Sequence, residues 1–147
     1  MKGIVCKVCG YIAINGAVPE KCPVCGAPAA SFAEKDDAIK TAQDPVNPTD
    51  AEKKHTPAIV VVRQCGLIPD GCLDVHAKVG GIIHPMAAEH YIQHIDFYLD
   101  GEFISRVVLV SEKLNPAAAL HLKVNNGKLS VIESCNMHGE WFAEVDL

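Results

Sequence analysis

Apolar and polar positions alternate with a period of two through much of the chain beyond residue 57. Leu73, Val75, Ala77 and Val79 are separated by Asp74, His76 and Lys78. Ile95, Phe97 and Leu99 interleave with His94, Asp96 and Tyr98, and Leu120, Leu122 and Val124 with His121 and Lys123. Such alternation sets one face of a strand against a core and the other toward water. Strand-like stretches over 58–64, 102–110, 128–134 and 140–146 bring the expected strands to seven. Turn residues separate them at Asp100-Gly101, Asn115-Pro116 and Asn125-Asn126-Gly127, the last of which predicts a hairpin. About seven short strands with frequent turns predict a mainly β protein, built on an immunoglobulin-like antiparallel β-sandwich.

The pattern changes before residue 55. Residues 35–51, within the polar, charged run KDDAIKTAQDPVNPTDAEKK, carry two prolines and read as a linker, with a short helical turn expected in its first part. The expected domains are therefore a small cysteine-rich unit over 1–34 and the sandwich over 52–147. The chain of 147 residues is long enough for both, and a hydrophobic content of 49% provides a core. A net charge of −5 leaves no basic face for a nucleic acid. The N-terminal MKGIVCKVCG has no long apolar run, so neither a signal peptide nor a membrane span is expected and a cytoplasmic location follows.

Seven cysteines are many for such a chain, and in a reducing compartment clustered cysteines read as metal ligands. Cys6-x2-Cys9-Gly10 and Cys22-Pro23-Val24-Cys25-Gly26 form two knuckles, each presenting two thiolates on one side of a tight turn. Facing each other they close a tetrahedral sulfur site, which suits zinc and iron alike. Of the seven histidines, His76, His94 and His121 are out of phase with the apolar face of their strands and are expected on a solvated sheet face. His55, His84, His90 and His138 stand outside the alternation, and Cys135 lies three residues before His138. Loops cluster at the ends of a sandwich, so these five residues can converge. The alternative is four unrelated surface imidazoles and a buried free cysteine. Five nitrogen and sulfur ligands exceed the four that zinc usually takes and point to iron with one open position.

Longer motifs surround these residues. VCKVCGYIAINGAVPEKCPVCGAPAASF closely resembles the rubredoxin-like domain of rubrerythrins, over about the first 33 residues. That resemblance implies an Fe(Cys)4 centre for electron transfer, with Cys6, Cys9, Cys22 and Cys25 as ligands and zinc as the other possible occupant. Lys54-His55-x-Pro57, then Val79-Gly80-Gly81-Ile82-Ile83-His84-Pro85-Met86-x2-Glu89-His90, then Cys135-Asn136-Met137-His138-Gly139-x-Trp141 resemble, in that order, the motifs of the superoxide reductase (desulfoferrodoxin and neelaredoxin) family. This second resemblance covers residues 52–147. It implies an Fe(His)4(Cys) centre with His55, His84, His90 and His138 as equatorial ligands, Cys135 as the axial thiolate, and an open position opposite the sulfur for superoxide. The implied reaction joins superoxide, one electron and two protons to give hydrogen peroxide. The axial thiolate would push electron density toward the bound oxygen species, and Lys54 would steer the anion and aid protonation.

The resemblance further implies an electron donor such as rubredoxin or a rubredoxin reductase, with the rubredoxin-like domain as conduit, and a homo-oligomer, dimer or tetramer. Two departures stand out. Two-iron members usually open with a desulforedoxin-type domain whose last two cysteines are adjacent, and here they read C-P-x-C. The family commonly has Glu-Lys-His before the proline, whereas this chain reads Glu52-Lys53-Lys54-His55. Whether Glu52 can serve from one residue further back is left open by the sequence. Other readings of the same residues are a dismutase, a zinc-ribbon and sandwich binding module without redox activity, and a pure electron carrier. Cys65 and Cys72, flanking an expected turn at Pro69-Asp70-Gly71, are read as ordinary small apolar residues, the sharper alternative being a redox-sensitive pair or disulfide.

Overall fold

The computed structural model describes residues 1–68 and 71–147, so the first two residues of the turn expected at 69–71 lie outside the described residues. Strands β1 (Gly3–Cys6), β2 (Ile12–Ala13) and β3 (Phe32–Lys35) form a small antiparallel sheet in the order β2-β1-β3. A short helix, α1 (Asp50–His55), leads into seven further strands: β4 (Pro57–Val62), β5 (Leu73–Val79), β6 (Ile92–Leu99), β7 (Glu102–Val108), β8 (Ala117–Leu122), β9 (Lys128–Cys135) and β10 (Gly139–Asp146). They divide into a four-stranded sheet, β10-β9-β6-β7, and a three-stranded sheet, β4-β5-β8, all antiparallel. This is the expected sandwich. Among the described residues no helix is long and apolar enough to cross a membrane.

The alternation works as expected on β5, where Leu73, Val75, Ala77 and Val79 are at most 2% exposed. They meet Ile95, Phe97, Leu129 and Val131 of the opposite sheet in one core. On β6 and β9 it fails, because the second face is covered too. Tyr98 and Ile132 point away from the sandwich core and join Ile4, Tyr11, Ile12 and Ile39 in a second cluster. Tyr11 stacks on Tyr98 at 6.2 Å between ring centroids, and the Tyr98 hydroxyl donates to the Ile12 carbonyl at 2.8 Å. Beside them Arg106 Nε and Nη2 donate to the two Asp96 carboxylate oxygens at 2.6 and 2.7 Å, while Nη1 donates to the Cys9 carbonyl at 2.8 Å. The small sheet is thus seated on the outer face of the four-stranded one.

His94 shares that covered face and is half-buried, against the expectation of a solvated imidazole. Burial lowers its pKa to about 4. His76 is exposed, as expected.

The stretch expected to link the two units is tied down in its first half. Ala38 and Ile39 are buried in the second cluster, and Lys40 forms a parallel bridge to Trp141 on β10. The helical turn lies at the end of this stretch rather than in its first part. Its signal is the capping box Thr49-Asp50-Ala51-Glu52, in which the Thr49 hydroxyl accepts from the Glu52 backbone N–H and the Glu52 carboxylate accepts from that of Thr49.

Asp100-Gly101, both at positive φ, make the two-residue hairpin between β6 and β7. Asn125-Asn126-Gly127 does not make one: β8 pairs with β5, while β9 pairs with β6 and β10, so this turn crosses between sheets. The local signal specifies a tight reversal, and the two-sheet core decides which strands meet.

Candidate metal centres

The knuckle unit builds its site from two matching turns. Gly10 N–H donates to the Cys6 carbonyl and Gly26 N–H to that of Cys22, both at 2.9 Å. The turns bring Cys6 Sγ to 3.8 Å from Cys25 Sγ and Cys9 Sγ to 3.5 Å from Cys22 Sγ, with all four sulfurs within 4.8 Å of one another. Burial pushes the Cys9 thiol up to about 12 and raises that of Cys22. Burial also acts on Cys6, but the backbone N–H groups of Cys9 and Val8 outweigh it and bring that thiol down to about 7. Four sulfurs at these spacings suit a tetrahedrally bound iron or zinc.

The second site is assembled from three separate places. His55 ends α1, His84 and His90 lie in the long β5–β6 connection, and Cys135 and His138 flank the turn between β9 and β10. The carbonyls of Lys53 and Lys54 rest against the turn after β5. A Cβ on Gly80, which has φ +86°, would come within 2.5 Å of the Lys54 carbonyl oxygen, so the helix end docks there only because residue 80 is glycine.

Hydrogen bonds fix which nitrogen His55 and His84 present. His55 Nδ1 donates to the Ala51 carbonyl and His84 Nδ1 to that of Pro85, each at 2.7 Å, leaving both Nε2 atoms free to ligate. Around the site, His84 Nε2 is 3.3 Å from His55 Nε2, His55 Nε2 is 3.1 Å from His138 Nδ1, and His138 Nδ1 is 3.1 Å from His90 Nε2. The four rings stand at the corners of a near-square with sides of 4.5 to 4.8 Å and a His55–His90 diagonal of 6.2 Å. Cys135 Sγ lies 3.5 Å from His138 Nδ1, and all five ligand atoms are within 4.8 Å of one another. Every histidine and cysteine expected at a metal is therefore in one of these two groups.

Burial, reinforced by the neighbouring imidazoles, lowers His55 and His90, and takes His84 down to about 4. Neutral rings are the form that binds a metal. Burial also raises the Cys135 thiol. Glu133, on the core-facing side of β9, is pushed up to about 9 by burial and then by Glu140, and its two oxygens have no hydrogen-bond partner.

Lys54 is exposed beside the site and acts electrostatically on His90. Glu52 is committed elsewhere: one oxygen accepts from Gln43 N–H at 2.8 Å, the other from Thr49 N–H at 2.7 Å and the Thr49 hydroxyl at 2.8 Å. It completes the cap of α1. Sequence reasoning missed Lys40, whose Nζ donates to the His138 carbonyl at 2.7 Å and sits 5.7 Å from the Trp141 ring. Trp141 in turn stacks on His55 at 5.2 Å. Nothing in a polar stretch marks Lys40 out; only the path of residues 38–40 across β10 reveals it.

The fold and the donors thus define a two-centre metalloprotein, with a sulfur-only site on a knuckle and an imidazole–thiolate site on a sandwich, both suited to iron. Comparison with known proteins makes the class specific. Residues 47–144 match the desulfoferrodoxin family, residues 5–33 match the rubrerythrin rubredoxin-like domain, and the chain belongs to the desulfoferrodoxin family. It is 32% identical over 142 residues to a desulfoferrodoxin of Syntrophotalea carbinolica, covering 95% of this chain and 92% of that one. It is 34% identical over 106 residues to a superoxide reductase of Pyrococcus abyssi, covering 65% and 88%. The solved superoxide reductase (neelaredoxin) from Ignicoccus hospitalis superposes with a TM-score of 0.59 at 27% identity, over 76% of this chain and 94% of that chain.

Proposed function

We propose that the protein is a superoxide reductase, making hydrogen peroxide from superoxide, one electron and two protons. The observation that carries this reading is the near-square of four imidazoles with one thiolate beside it, all five ligand atoms lying within 4.8 Å. His55, His84, His90, His138 and Cys135 would hold an iron there, and that iron would supply the one-electron redox chemistry. The residues do the rest. Neutral imidazoles add no negative charge, so an anion can approach. Exposed Lys54 supplies local positive charge at the mouth of a protein whose net charge is −5. Lys40 holds the His138 carbonyl and Trp141 buttresses His55, both acting as positioning residues.

The division of labour is a rubredoxin-like unit over 1–34, a connection over 35–51 and the catalytic sandwich over 52–147. Cys6, Cys9, Cys22 and Cys25 would hold an iron able to accept one electron at a time, and a donor such as rubredoxin or a rubredoxin reductase is the partner this unit would serve. The same reading carries a cytoplasmic protein that assembles as a dimer or tetramer. The test is peroxide yield per superoxide consumed, with a reduced donor present. One peroxide per superoxide supports the reductase, whereas one per two superoxides, with oxygen evolved, makes it a dismutase. Two irons per chain are expected, and zinc alone from iron-replete cells would overturn the redox reading.

A further inference from the structure

A third group of metal-binding side chains stands apart from both centres. Cys65 lies in the connection from β4 to β5, Cys72 immediately precedes β5, Asp74 is on β5 and His121 is on β8. Asp74 and His121 are direct cross-strand partners, so the sheet itself sets the carboxylate beside the imidazole. His121 Nδ1 is 2.6 Å from Asp74 Oδ1, 3.3 Å from Cys65 Sγ and 3.4 Å from Cys72 Sγ, and Cys72 Sγ is 3.4 Å from Asp74 Oδ1. All four ligand atoms lie within 4.8 Å of one another. Both cysteines are free and partly buried.

We propose that these four residues form a structural zinc site. Three groups crowd one nitrogen, and a single ring N–H can satisfy only one of them. A divalent cation at the centre would satisfy all four at once. Zinc bonds of about 2.3 Å to sulfur and 2.0–2.1 Å to nitrogen put tetrahedral ligands roughly 3.5 Å apart. The sulfur–nitrogen separations are already within a few tenths of that, and the short Asp74–His121 hydrogen bond would open on binding. The same range separates neighbouring sulfurs of the knuckle site, at 3.5 and 3.8 Å. Two thiolates, an imidazole and a carboxylate make a closed four-ligand set, the kind zinc takes in structural sites, with no position left for a substrate.

The site also lies well away from the chemistry. Asp74 is near the start of β5, and the strand's other end, Val79, leads to His84. At about 3.4 Å per residue that is roughly 17 Å of strand. Zinc here would fasten the β4–β5 connection to β8 at the end of the sandwich remote from the catalytic centre. A cleft of about 150 Å³, lined in part by Cys72, His121 and Lys123, gives the ion a way in.

The experiment is a zinc titration of the full-length, reduced protein with both iron sites loaded, repeated with cobalt as a spectroscopic probe. One further equivalent per chain is expected, with thiolate-to-cobalt absorption and unchanged visible bands from the two irons. Cys65→Ser and His121→Ala should each lose that equivalent at micromolar zinc while keeping the iron bands, which also report that the variants fold. No additional equivalent in the parent protein would overturn the proposal. So would uptake that is the same in both variants, or a Cys65–Cys72 disulfide that persists after purification under reductant and excludes the metal.

Discussion

The knuckle centre and the sandwich centre differ in where their ligands come from. Cys6 and Cys25, which face each other, are 19 residues apart, and two short turns bring all four sulfurs together. His55 and His138, neighbours at 3.1 Å, are 83 residues apart and meet only when both sheets, α1 and the β5–β6 connection are in place. A local site depends on its own turns, while an assembled site depends on the whole sandwich. The first should tolerate damage to the second better than the reverse.

Removing a ligand from each centre gives the largest expected effects. Cys135→Ser should abolish superoxide reduction and the visible band of the imidazole–thiolate iron, leaving the sulfur-site bands intact. Cys9→Ser should remove the sulfur-site bands and reduction by a rubredoxin-type donor, yet keep superoxide reduction when a small reductant is supplied. Metal content and visible spectra of the two variants check both outcomes. If Cys135→Ser also empties the sulfur site, the local site is not independent of the assembled one and the contrast fails.

The next effect concerns the seam between the units. Arg106 and Asp96 are 9% and 2% exposed at the side chain, and the same guanidinium holds the Cys9 carbonyl. Arg106→Leu leaves a buried carboxylate without its partner, which costs about 3–5 kcal/mol. Replacing both, Asp96→Leu with Arg106→Leu, should recover much of that loss in urea unfolding. Equal destabilisation by the single and double variants would show that the contact to Cys9, rather than the charge pair, holds the seam.

The same contrast explains what could be read from the sequence. The knuckle ligands follow from C-x2-C spacing alone, since adjacent turns need no tertiary information. The seven strands follow from alternation wherever one face meets water, as on β5. Alternation misleads on β6 and β9, where the small sheet covers the second face: His94 looks solvated by its phase and is half-buried in fact. The five ligands of the sandwich centre are identifiable through family motifs, but their near-square comes from packing that no spacing encodes. The Asn-Asn-Gly turn was legible as a turn and not as a crossover, because pairing partners are chosen by the two-sheet core. His121 by phase reads as a surface imidazole, and only the pairing of β5 with β8 sets it beside Asp74.

The His94 environment sharpens the comparison through pH. Burial lowers its pKa from an ordinary 6.5 to about 4. Between those values the unfolded chain binds a proton that the folded one does not. Its contribution is therefore complete above pH 6.5 and falls as pH drops toward 4, with a slope approaching about 1.4 kcal/mol per pH unit. His94→Gln should remove that part of the acid sensitivity. Superimposable stability–pH profiles for the two proteins would rule out the buried neutral ring.

The smallest effect tests how the assembled centre depends on one helix end. The Thr49 hydroxyl caps α1 and the Glu52 carboxylate completes the box, and the six-residue helix ends on His55. Thr49→Ala should cost about 1 kcal/mol, whereas Thr49→Ser keeps the hydroxyl and should cost little. The loss should not be shared evenly. A frayed α1 frees the Ala51 carbonyl that orients His55 Nδ1, so chelators should strip the imidazole–thiolate iron faster from Thr49→Ala than from the parent protein. The sulfur-site iron, whose ligands contact neither α1 nor His55 through any hydrogen bond among the described residues, should leave at an unchanged rate. Equal acceleration at both centres would mean that the cap stabilises the whole chain rather than one corner of one site.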